Sequence, residues 1–262
     1  MSGAFIDSIG VIAPGLPSWN ASVPILTGAA TYVAQPVGSV QPSLLPANER
    51  RRAPLGVRLA LCAAEEATAA SDVAASTLAT VFATSDADMD IIHRICAALA
   101  EPERSVSPID FHNSVHNAAP GYWSIGTKGT GPSTALSAYD FNLAAGLREA
   151  LALLSVDETD VLLVLFDVPP PPPLYKSRPV AHPAAIALVL SRQRTARSMA
   201  RLSICDAMHE TTLDDAGLET LRLANPAARS LPLLQAVAAQ RSGIVGIRAY
   251  DDRILGVRVE AL

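Results

Sequence analysis

Two uninterrupted apolar runs, DVLLVLFDV at residues 160–168 and AAIALVLS at residues 184–191, limit most strongly what this chain can fold into. A strand that is apolar at every position has to be covered on both faces, so it belongs inside a sheet with helices above and below it. LATVFATS, residues 78–85, reads as a third short strand. Helical patterns alternate with these runs. PLGVRLALCAAEEATAA, from Pro54 to Ala70, has Pro54 at a first-turn position, and MDIIHRICAALA, residues 89–100, is ended by Glu101-Pro102. A longer helix is expected to start near Ser137 and run to about Leu154, because Asp140, Ala144, Leu147, Leu151 and Leu154 follow a three-to-four spacing. The β, α, β order predicts a layered α/β core with helices on both sides of a mixed, mainly parallel sheet.

The 262 residues fit one large core, and half of them are hydrophobic while 17% are charged, which points to extensive burial or a face covered by another subunit. A net charge of -5, with Lys and Arg scattered apart from Arg50, Arg51 and Arg52, excludes the electrostatic footprint of a nucleic-acid binder. Met1 to Gly10 lacks a basic patch followed by an apolar run, and no stretch reaches the roughly 18 apolar residues needed to span a bilayer, so neither secretion nor membrane insertion is expected. Cys62, Cys96 and Cys205 are widely spaced in apolar sequence and read as reduced core thiols of a cytoplasmic protein, with neither a metal cluster nor a cofactor implied.

AFIDSIGVIAPG reads as a strand entering a turn at Ala13-Pro14-Gly15, Pro36 to Pro46 as extended loop, and residues 105–131 as loop with short helix. Pro169 to Pro173 form a stiff extended crossover. Beyond it, a helix is expected from about Ala227 to Ala239, and GIVGIRAY and RILGVRVEA should form a strand pair around Asp251-Asp252.

The segment SPIDFHNSVHNAAPGYWSIGTKGTGPSTALSAYDFNLAAGLREAL, from Ser107 to Leu151, resembles the β-ketoacyl synthase family, in which a Ser-Pro and an Asn precede a Gly-Pro-Ser turn and the helix carrying the catalytic cysteine follows. GVIAPG and RRAPLGVRLALCAAEEA resemble the family's first turn and first long helix, so the similarity covers roughly residues 4 to 192. It implies a thiolase-like layered fold with a shortened second half: a ketosynthase-like domain over residues 1–192 and a reduced portion, 193–262, packed on the same core.

In the register that lays the family's Gly-Pro on Gly131-Pro132 and its next strand on Asp160-Val161, the nucleophile falls on position 140, which is Asp. A carboxylate cannot form the acyl thioester that a thiolate forms. The roughly 70 residues after Ser191 contain neither a His-Gly-Thr nor a Gly-Phe-Gly motif, and their one histidine, His209, reads as a surface-loop residue. The resemblance therefore implies a chain-length factor of the kind found in type II polyketide and aryl polyene systems. Such a chain has no catalytic residues of its own, pairs with a full-length β-ketoacyl-ACP synthase, meets acyl carrier protein only transiently through the complex, and shapes the acyl tunnel. Asp110, Phe111, Ser114, His116, Asn117, Ser137 and Asp140 are the residues expected at the tunnel or partner interface.

Other readings of the same residues belong beside this one. Ser137, His116 and Asp140 are the residue types of an acyl-transfer triad, so an acyltransferase or malonyl-ACP decarboxylase using Ser137 or Asp140 is the alternative. The plainer reading makes Ser137 the cap of the long helix and Asp140 a carboxylate near its amino terminus. His112 and His116, four apart, would share a helix face, but loop packing is favoured over metal ligation. Tyr122 and Trp123 read as core or interface aromatics.

Overall fold

The computed structural model describes residues 3–156 and 159–262. β1 (Ala4–Ile12) leads through α1 (Trp19–Leu26) and an irregular crossing to α2 (Ala47–Arg52) and α3 (Leu55–Ala69). β2 (Ala79–Ala83), α4 (Met89–Ala100), α5 (Pro108–Asn113), α6 (Ala118–Thr127) and β3 (Ser133–Leu136) follow. Next come α7 (Asn142–Val156), β4 (Val161–Asp167), α8 (Pro172–Tyr175), β5 (Ala184–Ser191) and β6 (Ala200–Asp206). The chain closes with α9 (Ala216–Ala224), α10 (Leu231–Ala238), β7 (Gly243–Tyr250) and β8 (Arg253–Ala261).

The eight strands form one sheet in the order β3-β2-β4-β5-β1-β6-β8-β7. Successive side chains of a strand point to opposite faces, and here both faces are covered. On β4, Val161, Leu163 and Leu165 enter one core with Leu143 and Leu147 of α7, while Leu162, Val164 and Phe166 enter the other with Val57 and Leu61 of α3. β5 divides in the same way, with Ile186, Leu188 and Leu190 on the first side and Ala185, Ala187 and Val189 on the second. The first core also takes in Leu202, Leu218, Leu234, Val245, Val257 and Val259, so elements after Ser191 pack on the same sheet face as α7.

α3 lies against β1 so closely that a Cβ on Gly10 would stand 2.0 Å from the Ala63 carbonyl oxygen. Its two glutamates tether what runs past it. Glu66 accepts the backbone N–H groups of Val11 and Trp19, at 2.8 and 2.6 Å, and Glu65 accepts that of Ser43 at 3.0 Å. Carboxylates are well matched to these orphan donors, because a buried N–H without a partner costs about 1–3 kcal/mol.

Several expectations require correction. The sheet is mixed, but among the described residues only β2–β3 and β2–β4 are parallel; the other five pairings are antiparallel. Apolar runs report double-sided burial, and an antiparallel strand covered on both faces has the same pattern. The long helix begins at Asn142 rather than near Ser137, since Ser133–Leu136 is spent on an edge strand and Tyr139–Phe141 on a 3₁₀ turn. The proline run is extended only to Pro171, and Pro172 and Pro173 open α8, where a missing N–H costs nothing. The cysteines are free, but none is fully buried, and Cys96 is exposed.

Candidate functional site

β2, β3 and β4 are the parallel trio, so their carboxyl ends open on one edge of the sheet, the place where α/β sheets bind ligands. Each contributes to one cluster. β4 ends in Asp167, β2 runs on into Thr84, Ser85 and Asp86, and β3 runs on into Ser137 and the turn that carries Asp140. That turn is held from inside: Asn142 Oδ1 accepts the Ala138 N–H at 2.8 Å, and the Ser137 hydroxyl donates to the Ser85 carbonyl at 2.7 Å. Tyr139 adopts a φ of 55°, a left-handed conformation that side chains other than glycine's rarely take.

Asp140 sits between two arginines that the sequence reading did not single out. Arg178 Nη1 donates to Oδ1 at 2.6 Å, and Arg229 Nη2 donates to Oδ2 at 2.9 Å. Arg178 also reaches Asp86 through Nε at 2.6 Å, and its guanidinium lies 4.0 Å from the Tyr139 ring centroid. The Arg178 side chain is 8% exposed. Burial opposes its charge, but the bonds to Asp140 and Asp86 outweigh that penalty and hold its pKa above the ordinary value.

Asp167 is 2% exposed. Its Oδ1 accepts the Ser85 N–H at 2.7 Å, the Thr84 hydroxyl at 3.2 Å and also the Ser85 hydroxyl. Desolvation nevertheless dominates those bonds and the attraction of Arg178, pushing the carboxyl up to about 7.

The expected interface residues fall into two groups. Ser137 and Asp140 belong to the strand-end cluster, while Asp110, Phe111, Ser114, His116 and Asn117 lie on and just beyond α5. Asp110 pairs with Arg94 at 2.7 Å, and Ser114 closes α5 by donating its hydroxyl to the Phe111 carbonyl at 2.8 Å. Phe111 is 71% exposed, and Ile109 and Val115 beside it are about half exposed. Asn117 is exposed at the start of α6, and His116 borders a cavity of about 10 Å³ with Asp88, Asn113 and Phe166. Tyr122 and Trp123 are core residues, and the Tyr122 hydroxyl donates to Asn113 at 3.1 Å.

No triad is assembled. The Ser137 hydroxyl bonds a backbone carbonyl, both Asp140 oxygens are taken by arginine, and His116 lines a different cavity. Ser137 is not the helix cap either, because its hydroxyl donates to the Ser85 carbonyl and α7 begins only at Asn142. His112 ends in α5 while His116 lies beyond it, so they do not share a helix face, and His209 sits in an exposed loop.

Larger clefts lie elsewhere. One of about 300 Å³ runs under Gln35–Gln41 with Cys62 at its wall, and burial, with Glu65 nearby, pushes that thiol up to about 11. A thiol that stays protonated at neutral pH is a poor substitute nucleophile. Among the described residues no helix is long and apolar enough to cross a membrane, and no group of three or more His, Cys, Asp or Glu side chains could hold a metal ion.

The chain belongs to the β-ketoacyl synthase, N-terminal domain family, whose family model matches residues 27–246. It is similar in fold to one chain of the ketosynthase ApeO in complex with its chain length factor ApeC from Xenorhabdus doucetiae. That likeness has a TM-score of 0.73 and 21% identity, and it covers 98% of this chain and 99% of that one. A chain of the AntDE:AntF complex, a type II PKS acyl-carrier protein with its ketosynthase bound to the hexaketide, is 12% identical. Its TM-score is 0.78, covering 100% and 99% of the two chains. A chain of the ishigamide ketosynthase/chain length factor is also 12% identical, with a TM-score of 0.74 and 98% of each chain covered. At these identities the likeness is one of fold. No curated protein matches the sequence.

Proposed function

We propose that this chain is a non-catalytic ketosynthase-like subunit, a chain-length factor that pairs with an active β-ketoacyl-ACP synthase in the cytoplasm and shapes its acyl tunnel. The observation that carries the reading is the state of Asp140. At the position that the resemblance assigns to the family's cysteine stands a carboxylate with both oxygens bonded to arginine, in a cluster where Arg178 is almost wholly buried. Hydrogen bonds to two arginines hold the carboxylate and lower its nucleophilicity, and a carboxylate cannot form the acyl thioester that a thiolate forms.

The partner would meet the chain along the edge strand β3 and the apolar surface of α5, where Phe111, Ile109 and Val115 are exposed. Exposed apolar side chains grouped in this way mark interaction surfaces. Asp110, Phe111, Ser114, His116 and Asn117 would then form or flank the tunnel end, with acyl carrier protein docking on the complex. The solved chains of similar fold come from complexes that contain a ketosynthase, which supports a partner of that kind.

Two assays test the proposal together. Co-expression with a β-ketoacyl-ACP synthase should yield a one-to-one complex by native mass spectrometry, and the isolated chain should give no turnover of malonyl-ACP. Decarboxylation by the isolated chain, abolished by Ser137→Ala or Asp140→Ala, would replace this reading with the acyltransferase or decarboxylase alternative.

A further inference from the structure

Seven buried side-chain nitrogen or oxygen atoms among the described residues have no hydrogen-bond partner, and four of them belong to the strand-end cluster: Asn142 Nδ2, Asp167 Oδ2, Arg178 Nη2 and Arg229 Nε. Native proteins rarely leave such atoms bare, so several within one cluster call for an occupant. Their residues are bonded or coupled into one assembly. Arg178 and Arg229 share the Asp140 carboxylate, Arg178 attracts Asp167, and Asn142, the first residue of α7, holds the turn that presents Asp140. Asn142, Asp167 and Arg178 are each more than nine-tenths buried.

The chemistry of the four atoms selects the occupant. Two are arginine nitrogens and one is an amide nitrogen, and all three can only donate. Asp167 bonds its hydroxyl and N–H partners through Oδ1, which leaves the proton of its neutral form on Oδ2, the unpartnered oxygen. Every free group is then a donor. Arg178 and Arg229 are balanced by Asp86 and Asp140, so with Asp167 protonated the cluster is neutral and an incoming anion meets no net negative charge.

We propose that this cluster, at the carboxyl ends of β2, β3 and β4, is a binding site for a small carboxylate anion, held by Arg178, Arg229, Asn142 and Asp167. Binding weakens as Asp167 ionises, because its proton is one of the four donors and its negative charge repels the ligand. The groups around Asp167 that set this behaviour are Thr84 and Ser85 from the end of β2, with Asp86 beyond them; Arg178 after α8; and Asn225 before α10, which donates to the Asp167 carbonyl at 3.1 Å. His182 meets Asn225 only through its backbone oxygen.

The test is thermal unfolding of the full chain in sodium acetate against sodium chloride at equal ionic strength. At pH 6 acetate should raise the midpoint by about 2 °C or more over chloride, and the apparent Kd should rise about tenfold per pH unit above 7. Asp167→Asn keeps a donor at Oδ2's place and loses the titration, so acetate should protect that variant equally at pH 6 and pH 8.5. Arg229→Gln removes the Nε donor from a partly exposed side chain and should abolish the acetate shift. No acetate-specific shift in the unmodified chain at pH 6 would mean that only water fills the cluster, and would overturn the proposal. A shift that remains in Arg229→Gln, or that stays pH-dependent in Asp167→Asn, would overturn it as well.

Discussion

At the scale of single residues, Asp167 ties stability to pH with a sign that its environment fixes. Its carboxyl titrates near 7 in the folded chain, against about 3.9 in an unfolded one, so the folded state holds the extra proton in between. The stability that Asp167 contributes is therefore full below about pH 4, falls by at most about 1.4 kcal/mol per unit as pH rises from there to about 7, and levels off above that. Chemical denaturation between pH 5 and 8.5 should show this decline in the unmodified chain and a flatter profile in Asp167→Asn. The aspartate at position 140 was legible in the sequence, but its partners were not. Arg178 lies 38 residues away and Arg229 lies 89, after a proline run and in a 3₁₀ turn, and no local pattern links them to the strand ends. Asp86, just after the run 78–85, and Asp167, the acid near the end of the run 160–168, did carry a weak signal.

At the scale of elements, the close seat of α3 on β1 makes Gly10 irreplaceable for a steric reason. Gly10→Ala would drive a Cβ into the Ala63 carbonyl, backbone against backbone, and should lower stability by more than about 3 kcal/mol in urea titration. The segment around α5 makes a second prediction, one that concerns the partnered state. Ser114→Phe fills space at the end of α5 and Phe111→Ala empties it, so the first should shorten and the second lengthen the products of the paired synthase, read by mass spectrometry. Unchanged lengths in both, with pairing intact, would remove α5 from the tunnel. The limits of β5, Ala184–Ser191, were readable from its unbroken burial, and those of α4, Met89–Ala100, from its helical spacing and the Glu101-Pro102 stop, although only Ile91 of it is buried. β3 was missed because STAL is short, sits at the sheet edge and is only partly buried. The sense of the strand pairing was missed because double-sided burial looks alike in parallel and antiparallel strands.

At the scale of the whole molecule, one sheet carries two cores, and the strand-end cluster between its elements is cross-linked by salt bridges. Two arginines and two aspartates balance one another's charge there, and removing one partner from such a set costs more than the set contributes, because a charge is left behind. Asp140→Ala should accordingly lower stability by about 2 kcal/mol, less than for a fully buried pair, since Asp140 is 24% exposed. Catalysis by the assembled pair should not follow, because on this account the thiolate and histidines that form the new bond belong to the partner. The decisive measurement is the condensation rate of the reconstituted pair carrying Asp140→Ala, with complex formation verified in the same sample. The predicted rate lies within about threefold of the unsubstituted pair, roughly 0.65 kcal/mol of barrier. A hundredfold loss in a complex that still assembles would make Asp140 a participant in the chemistry and contradict the non-catalytic role.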